Sequence, residues 1–274
     1  GAGFSEEGGF ILARAGEFTW AFDKSSGLLS CVRSAGRSLS LSNGPRFIAL
    51  RRSDRSIDNE LNTLEKNSER HTHYESLSDN ALFAGFAVEG DCLVGRYSGG
   101  AMKELRWTFA SDGSARVDYR YCFSGVVDLM GVEFDYPEDM VRSKKWVGDG
   151  PYRVWQNRLK GPQLGVWEVP YNDAVPGFNI AYPEFKGFFS GVKNISFDTE
   201  EGPLSFTVPS GKYFGVFTPK DGPTHNLFVF PETGLSFLDV IPAVRTKFHS
   251  TDTLGPSSRP VWASGEYEGS VVIS

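Results

Sequence analysis

Residues Glu104–Phe123 read ELRWTFASDGSARVDYRYCF, two alternating apolar runs joined by a short polar stretch. Leu105, Trp107 and Phe109 alternate with Arg106 and Thr108. Ser111-Asp112-Gly113-Ser114 supplies a turn, and Val117, Tyr119, Tyr121 and Phe123 alternate back. A period of two places each apolar set on one face of an extended chain, and an Asp-Gly turn between two such runs predicts an antiparallel hairpin.

The same texture extends outward in both directions. In EFTWAFDKSSGLLSCV, Phe18, Trp20 and Phe22 share a face, Lys24-Ser25-Ser26-Gly27 turns, and Leu28–Val32 returns. GRSLSLS and PRFIALRR predict a further strand pair with Gly44-Pro45 between them. MGVEFDYP, GFFSGVKNISFDTEEGPLSFTV, YFGVFTP, NLFVFP, GLSFLDVIP and GEYEGSVVIS continue the series at short spacing, with a turn expected at Glu200-Glu201-Gly202-Pro203. The most polar region, IDNELNTLEKNSERHTHYESLSDN, is expected to be a long surface loop. Apolar residues at helical spacing never persist beyond two turns, and neither a fixed-period repeat nor a low-complexity linker interrupts the chain. The expectation is an all-β fold, one large antiparallel β-supersandwich spanning residues 1–274 as a single domain.

Composition fits this class. The 274 residues are 40% hydrophobic and 14% aromatic, enough for a substantial core and weighted toward strand-forming types. The net charge of −6 offers no basic field, so nucleic acid is not an expected partner. No run approaches the roughly 18 apolar residues of a spanning helix, so a membrane is not expected either. The three cysteines, Cys31, Cys92 and Cys122, contain no C-x-x-C pair and are expected to be buried free thiols, which leaves the compartment open.

Several chemistries lack a signature. GDGP at Gly148–Pro151 resembles a glycine loop, but no GK[ST] and no helix follow it. His71 and His73 would share a strand face without a third ligand nearby, and His225 and His249 stand alone, so no metal and no cofactor are expected. Asp221, Asp239 and Asp252 do not form a calcium-loop pattern. No G-x-S-x-G elbow occurs. Glu133 and Asp135 would share a strand face at a separation near that used by retaining glycosidases, yet acids alternating with apolar residues read as a solvated face. The remaining signal is aromatic and polar mixing in KKWVGDGPYRVWQNRLKGPQLGVW, Lys144–Trp167. Sugar rings stack their C–H faces on aromatic rings, and their hydroxyls bond to Arg, Asn and Gln. Tyr152, Arg153, Trp155, Asn157 and Arg158 supply both needs. Trp146, before a glycine turn, reads as core. For Trp155, core and stacking platform both stand open.

This segment carries a resemblance. KKWVGDGPYRVWQNRLKGPQLGVWEVPYND resembles the W-x-G-x-G-P-x-E-x-Y-x-D-R segment of the large C-terminal β-domain, or small-chain domain, of glycoside hydrolase family 2 β-galactosidases. FTWAFDKSSGLLSCV, PRFIALRRSDRSIDNE and ELRWTFASDGSARVDYRY are similar to other pieces of that domain, in the same order along the chain. The resemblance implies a galactose-mutarotase-like supersandwich acting as the C-terminal domain of a larger glycosidase. Such a domain would be catalytically silent alone, with a TIM-barrel catalytic domain of the same polypeptide and a carbohydrate as partners. It also implies a loop that lends an aromatic residue to the sugar pocket, and ETGLSFLDV places Phe237 there. Several positions depart: where the family has Glu, Tyr and Asp, this chain has Arg153, Trp155 and Asn157, Gln156 stands in place of a proline, and the acidic pair of the A-P-x-D-N-D stretch is altered in ALRRSDR, while Arg158 keeps its place. A galactose preference is therefore not carried over. An independent carbohydrate-binding module and a mutarotase-like epimerase are the alternatives.

Overall fold

The computed structural model describes residues 1–52, 72–77, 79–170, 187–217, 228–229, 234–243 and 259–274. Twenty-two strands lie among them. The first seven are β1 (Gly3–Glu7), β2 (Phe10–Ala15), β3 (Phe18–Asp23), β4 (Leu29–Ser34), β5 (Arg37–Leu39), β6 (Ser42–Arg52) and β7 (Thr72–Ser76). Then come β8 (Leu82–Glu89), β9 (Cys92–Gly99), β10 (Met102–Phe109), β11 (Ala115–Cys122), β12 (Gly125–Val127), β13 (Leu129–Asp135), β14 (Val141–Gly150) and β15 (Gln163–Pro170). The last are β16 (Asn194–Thr199), β17 (Leu204–Thr207), β18 (Tyr213–Phe217), β19 (Phe228–Val229), β20 (Gly234–Val240), β21 (Val261–Ala263) and β22 (Glu266–Ile273). One 3-10 turn, Glu138–Met140, precedes β14.

The strands form two large sheets and one small pair, β12 with β21. The first has 11 strands, with the path β1-β2-β3-β4-β6-β13-β20-β18 and with β5, β7 and β19 attached beside it. The second has nine, in the order β15-β14-β16-β17-β22-β11-β10-β9-β8. Pairing is antiparallel except between β19 and β7. The hairpin that set the fold class forms as read: Leu105 faces Tyr119 and Trp107 faces Val117 across β10 and β11. At its turn the Ser114 amide donates to Asp112 Oδ1 at 2.9 Å. The inward residues of both sheets meet in one apolar layer. Trp107 packs on Phe22 at 5.0 Å and on Trp20 at 6.1 Å between ring centroids, and Phe206 packs on Phe237 at 5.6 Å. Each such burial contributes roughly 2–3 kcal/mol, which makes this layer the main source of stability.

Two expectations are corrected. Gly44-Pro45 is not a turn between strands; it lies inside β6, while β5 pairs with β4. The register against β13 slips here, from Glu133↔Arg46 to Asp135↔Ser42, so Asn43-Gly44-Pro45 form a bulge, a place where a strand tolerates proline. The polar region expected to be a loop contributes β7 at Thr72–Ser76, followed by Leu77, Asp79 and Asn80 outside any strand; residues 57–71 and 78 lie outside the described residues. The three cysteines are free and half-buried.

Candidate functional site

Alternation in the middle of the first sheet gives it a second, outward face. On β6, Phe47 and Ala49 enter the main core while Ile48 and Leu50 point the other way. The same parity turns Leu129 of β13 and Leu238 of β20 outward. The register lines Arg46, Glu133, Ser236 and Gly215 up across four neighbouring strands. The outward face thus carries a polar row beside an apolar patch.

Glu133 and Ser236 are both 0% exposed. Arg46 Nη2 lies 3.4 Å from Glu133 Oε2, and Arg46 Nη1 lies 2.9 Å from Asp135 Oδ1. Asn43 Nδ2 donates to the other Asp135 oxygen at 3.0 Å, and Arg46 Nη1 also donates to the Asn43 carbonyl at 2.9 Å. One guanidinium therefore serves two carboxylates, one buried and one half-exposed. Burial of an ionised carboxylate is tolerated only with such compensation. The solvated face expected for this pair holds for Asp135 and fails for Glu133, because β6 and β20 flank Glu133 on both sides.

The Tyr152–Arg158 segment packs onto the apolar part of this face. Val154 and Phe188 exchange backbone hydrogen bonds of 2.8 and 2.9 Å. Trp155 is 2% exposed and meets Phe188 edge-on, with ring centroids 5.5 Å apart at 89°. The chain then turns: the Arg158 amide donates to the Trp155 carbonyl at 2.9 Å, and the Gln156 amide donates to the Pro242 carbonyl. Because this is a turn and not a strand, strict alternation does not apply, and Val154 and Trp155 are both buried. Arg153 is buried with its guanidinium 5.6 Å from the Phe189 ring centroid. Tyr152 and Arg158 are exposed and Asn157 is half-buried. Phe237 is 0% exposed in the main core, between Phe206 and Phe214. The structure thus gathers Tyr152–Arg158 at the outward face and places Phe237 behind it, on the inward side.

The glycines before this segment have a physical role. Trp146 is core, as expected, and its Nε1 donates to the Asp149 carbonyl at 2.8 Å. Gly148 leaves room for the Gly191-Val192 backbone, and a Cβ at Gly150 would strike the Trp167 ring. Trp167 Nε1 donates to the Gly148 carbonyl at 3.1 Å. GDGP is therefore a packing device between β14, β15 and the Gly191 turn. Arg46 and Ser236 escaped the sequence reading; the one signal was an arginine entering the apolar run PRFIAL. His71, His225, His249, Asp221 and Asp252 lie outside the described residues, as does the side chain of His73.

The sequence model of the family described as β-galactosidase small chain matches residues 14–216. The chain belongs to that family. The matched stretch takes in Arg46, Glu133 and Tyr152–Arg158 and stops short of Ser236 and Phe237. Among solved structures, a galactose mutarotase-like protein from Lactobacillus casei is similar at 8% identity, with 97% of this chain and 99% of that chain covered and a TM-score of 0.48. A C. elegans homologue of GalM/aldose epimerase is similar at 8% identity, covering 100% and 98%, with a TM-score of 0.43. Galactose 1-epimerase from Lactobacillus acidophilus is similar at 11% identity, covering 100% and 97%, with a TM-score of 0.40. No curated protein matches the chain.

Proposed function

We propose that this small-chain domain is a non-catalytic β-domain of a family 2-type glycoside hydrolase, residues 1–274 forming one unit. It packs on a catalytic barrel of the same polypeptide and helps shape the sugar pocket. The observation that carries this reading is the family match over 14–216. The chemistry agrees. Cleaving a glycosidic bond takes two carboxylates that reach the bond from both sides. Here the acidic pair of β13, Glu133 and Asp135, is gathered on a single guanidinium, with Glu133 sealed from solvent. In this reading Tyr152, Asn157 and Arg158 touch the sugar, Arg153 and Trp155 hold their segment in place, and Phe237 supports the sheet from behind. The test is calorimetric titration of the isolated chain against a β-galactosidase catalytic chain that lacks this domain. Association with gain of hydrolysis is expected; no association overturns the packing role.

One observation favours a second reading, aldose 1-epimerisation. Glu133 is the carboxylate beside Arg46 in the polar row of the outward face; it is 0% exposed, so taking the proton of an anomeric hydroxyl requires this row to open to the sugar. Polarimetry on fresh α-D-galactose decides it: acceleration lost in Glu133→Gln supports epimerisation, and no acceleration removes it.

A further inference from the structure

The first sheet has a seam. β4 and β6 share one paired position, Leu29↔Gly44, and then diverge. A cavity of about 360 Å³ opens at this seam, beneath the β3–β4 turn and against β8 and β9 of the second sheet. Its lining includes Ser26, Arg46, Asp79, Ala81, Phe83 and Tyr97. The volume falls in the range of small-molecule sites, about 300–1,000 Å³.

We propose that this cavity binds a single pyranose-sized sugar, its C–H face on Phe83 and its hydroxyls on Asp79 and Ser26. The aromatic wall is fixed in place. Phe83 meets Phe86 at 4.7 Å and Tyr97 at 5.2 Å between centroids. Gly27, at φ +75°, brings the turn so close that any Cβ there would run into the Phe83 ring. Tyr97 Oη donates to the Ser26 carbonyl at 2.6 Å and holds that turn over the wall. The polar side is equally set. Asp79 Oδ1 accepts the Ala101 amide at 2.8 Å, which orients the carboxylate and leaves Oδ2 to accept from a ligand. Ser26 Oγ accepts the Leu28 amide at 3.3 Å, which leaves its proton to donate.

These parts select the ligand class. A flat apolar wall facing an acceptor and a donor suits a ring with one C–H face and a rim of hydroxyls. A hydrocarbon would desolvate Asp79 Oδ2 with nothing to donate to it, and a phosphate would meet the carboxylate's negative charge. Walls locked by turn and sheet add affinity because little is left to order on binding. The site does not depend on a catalytic barrel, so it stands apart from the proposed function: docking to a catalytic chain can fail while this site binds, and the reverse.

The test is saturation-transfer NMR and calorimetry on the 274-residue chain with D-galactose, D-glucose and methyl β-D-galactoside. At least one sugar is expected to bind and to shift the ring resonances of Phe83 and Tyr97. Asp79→Asn is expected to weaken it about tenfold or more, the cost of losing a hydrogen bond to a charged acceptor. Ala81→Phe, at the exposed rim, is expected to abolish it, while Leu164→Ala, on the exposed face of β15, leaves it unchanged. Binding of none of the three sugars overturns the proposal, as does binding that survives both cavity variants or is lost in Leu164→Ala. Should a cavity variant fold poorly, the wild-type ring shifts decide: responses confined to residues away from Phe83 and Tyr97 place the site elsewhere and refute it.

Discussion

Replacing Trp155 with alanine separates a core residue from a stacking platform. A tryptophan buries up to about 250 Å². At about 25 cal/mol per Å² that is ~6 kcal/mol of transfer free energy, part of which alanine retains. Trp155 is 2% exposed within a cluster that includes Leu50, Leu129, Val154, Phe188 and Leu238, so truncation leaves a void under the Tyr152–Arg158 turn. Large-to-small changes of this kind cost about 3–5 kcal/mol. The lost edge-to-face contact with Phe188 lies within that figure. For a chain of this size, about 2 °C of melting temperature follows each kcal/mol, so a drop of ~6–10 °C is expected. Urea unfolding followed by circular dichroism, with a thermal melt beside it, reads both quantities. The exposed neighbour Tyr152→Ala is the control and is expected to stay within about 0.5 kcal/mol. A Trp155→Ala loss below ~1 kcal/mol would refute the placement of this ring in the outward-face cluster.

Other consequences can be checked separately. Glu201 accepts from the Ser40 amide at 2.9 Å, from Ser40 Oγ, and from Tyr136 Oη at 2.9 Å, tying β5 to the β16–β17 turn. Glu201→Ala leaves these donors without their acceptor and is expected to cost about 1–3 kcal/mol in urea unfolding. Burial, reinforced by Glu201, pushes the Tyr136 phenol up to about 12, against the downward pull of its Thr199 hydrogen bond. A phenol raised on folding contributes stability that is complete below pH 10 and is lost as pH rises from 10 toward 12. Tyr136→Phe should therefore flatten part of the alkaline loss of stability in that window, and an unchanged profile would contradict the shift. Asp112 is held below its ordinary carboxyl value, first by the Ser114 hydroxyl and then by the Ser114 amide. Its NMR titration midpoint is expected below 3.8, rising toward 3.8 in Ser114→Ala. Gly27→Ala should destabilise by about 1–2 kcal/mol or more, since it adds a left-handed backbone penalty to a collision with Phe83.

The hairpins were legible because their signal is local. Leu105, Trp107 and Phe109 announce their face by alternation, and Asp112-Gly113 announces the turn, within twenty residues of sequence. The core position of Trp146 was legible for the same reason, since its Nε1 partner, the Asp149 carbonyl, lies three residues away. The site was harder because its causes are distant. Nothing around Glu133 says that Arg46 and Ser236 lie in the adjacent strands and seal it from water. An acid between valine and phenylalanine looks the same on an open strand face. Trp155 was equally open from its neighbours, and its burial comes from Phe188 and the outward side chains of β6, β13 and β20. Phe237 looked like a pocket residue through its place in the order of the family's segments. The parity of β20 turns it inward, and parity depends on where a strand begins, which Thr233-Gly234 leaves ambiguous. Gly44-Pro45 carried a correct local signal, a break in regular pairing, that the fold uses for a bulge.

We propose that this small-chain domain shapes a sugar site without performing glycosidic cleavage. Incubation of the purified chain with nitrophenyl β-D-galactoside and nitrophenyl β-D-glucoside tests it most directly, with Glu133→Gln alongside. Nitrophenol release at the buffer rate is expected for both proteins. Turnover by the wild-type chain that disappears in Glu133→Gln would contradict it.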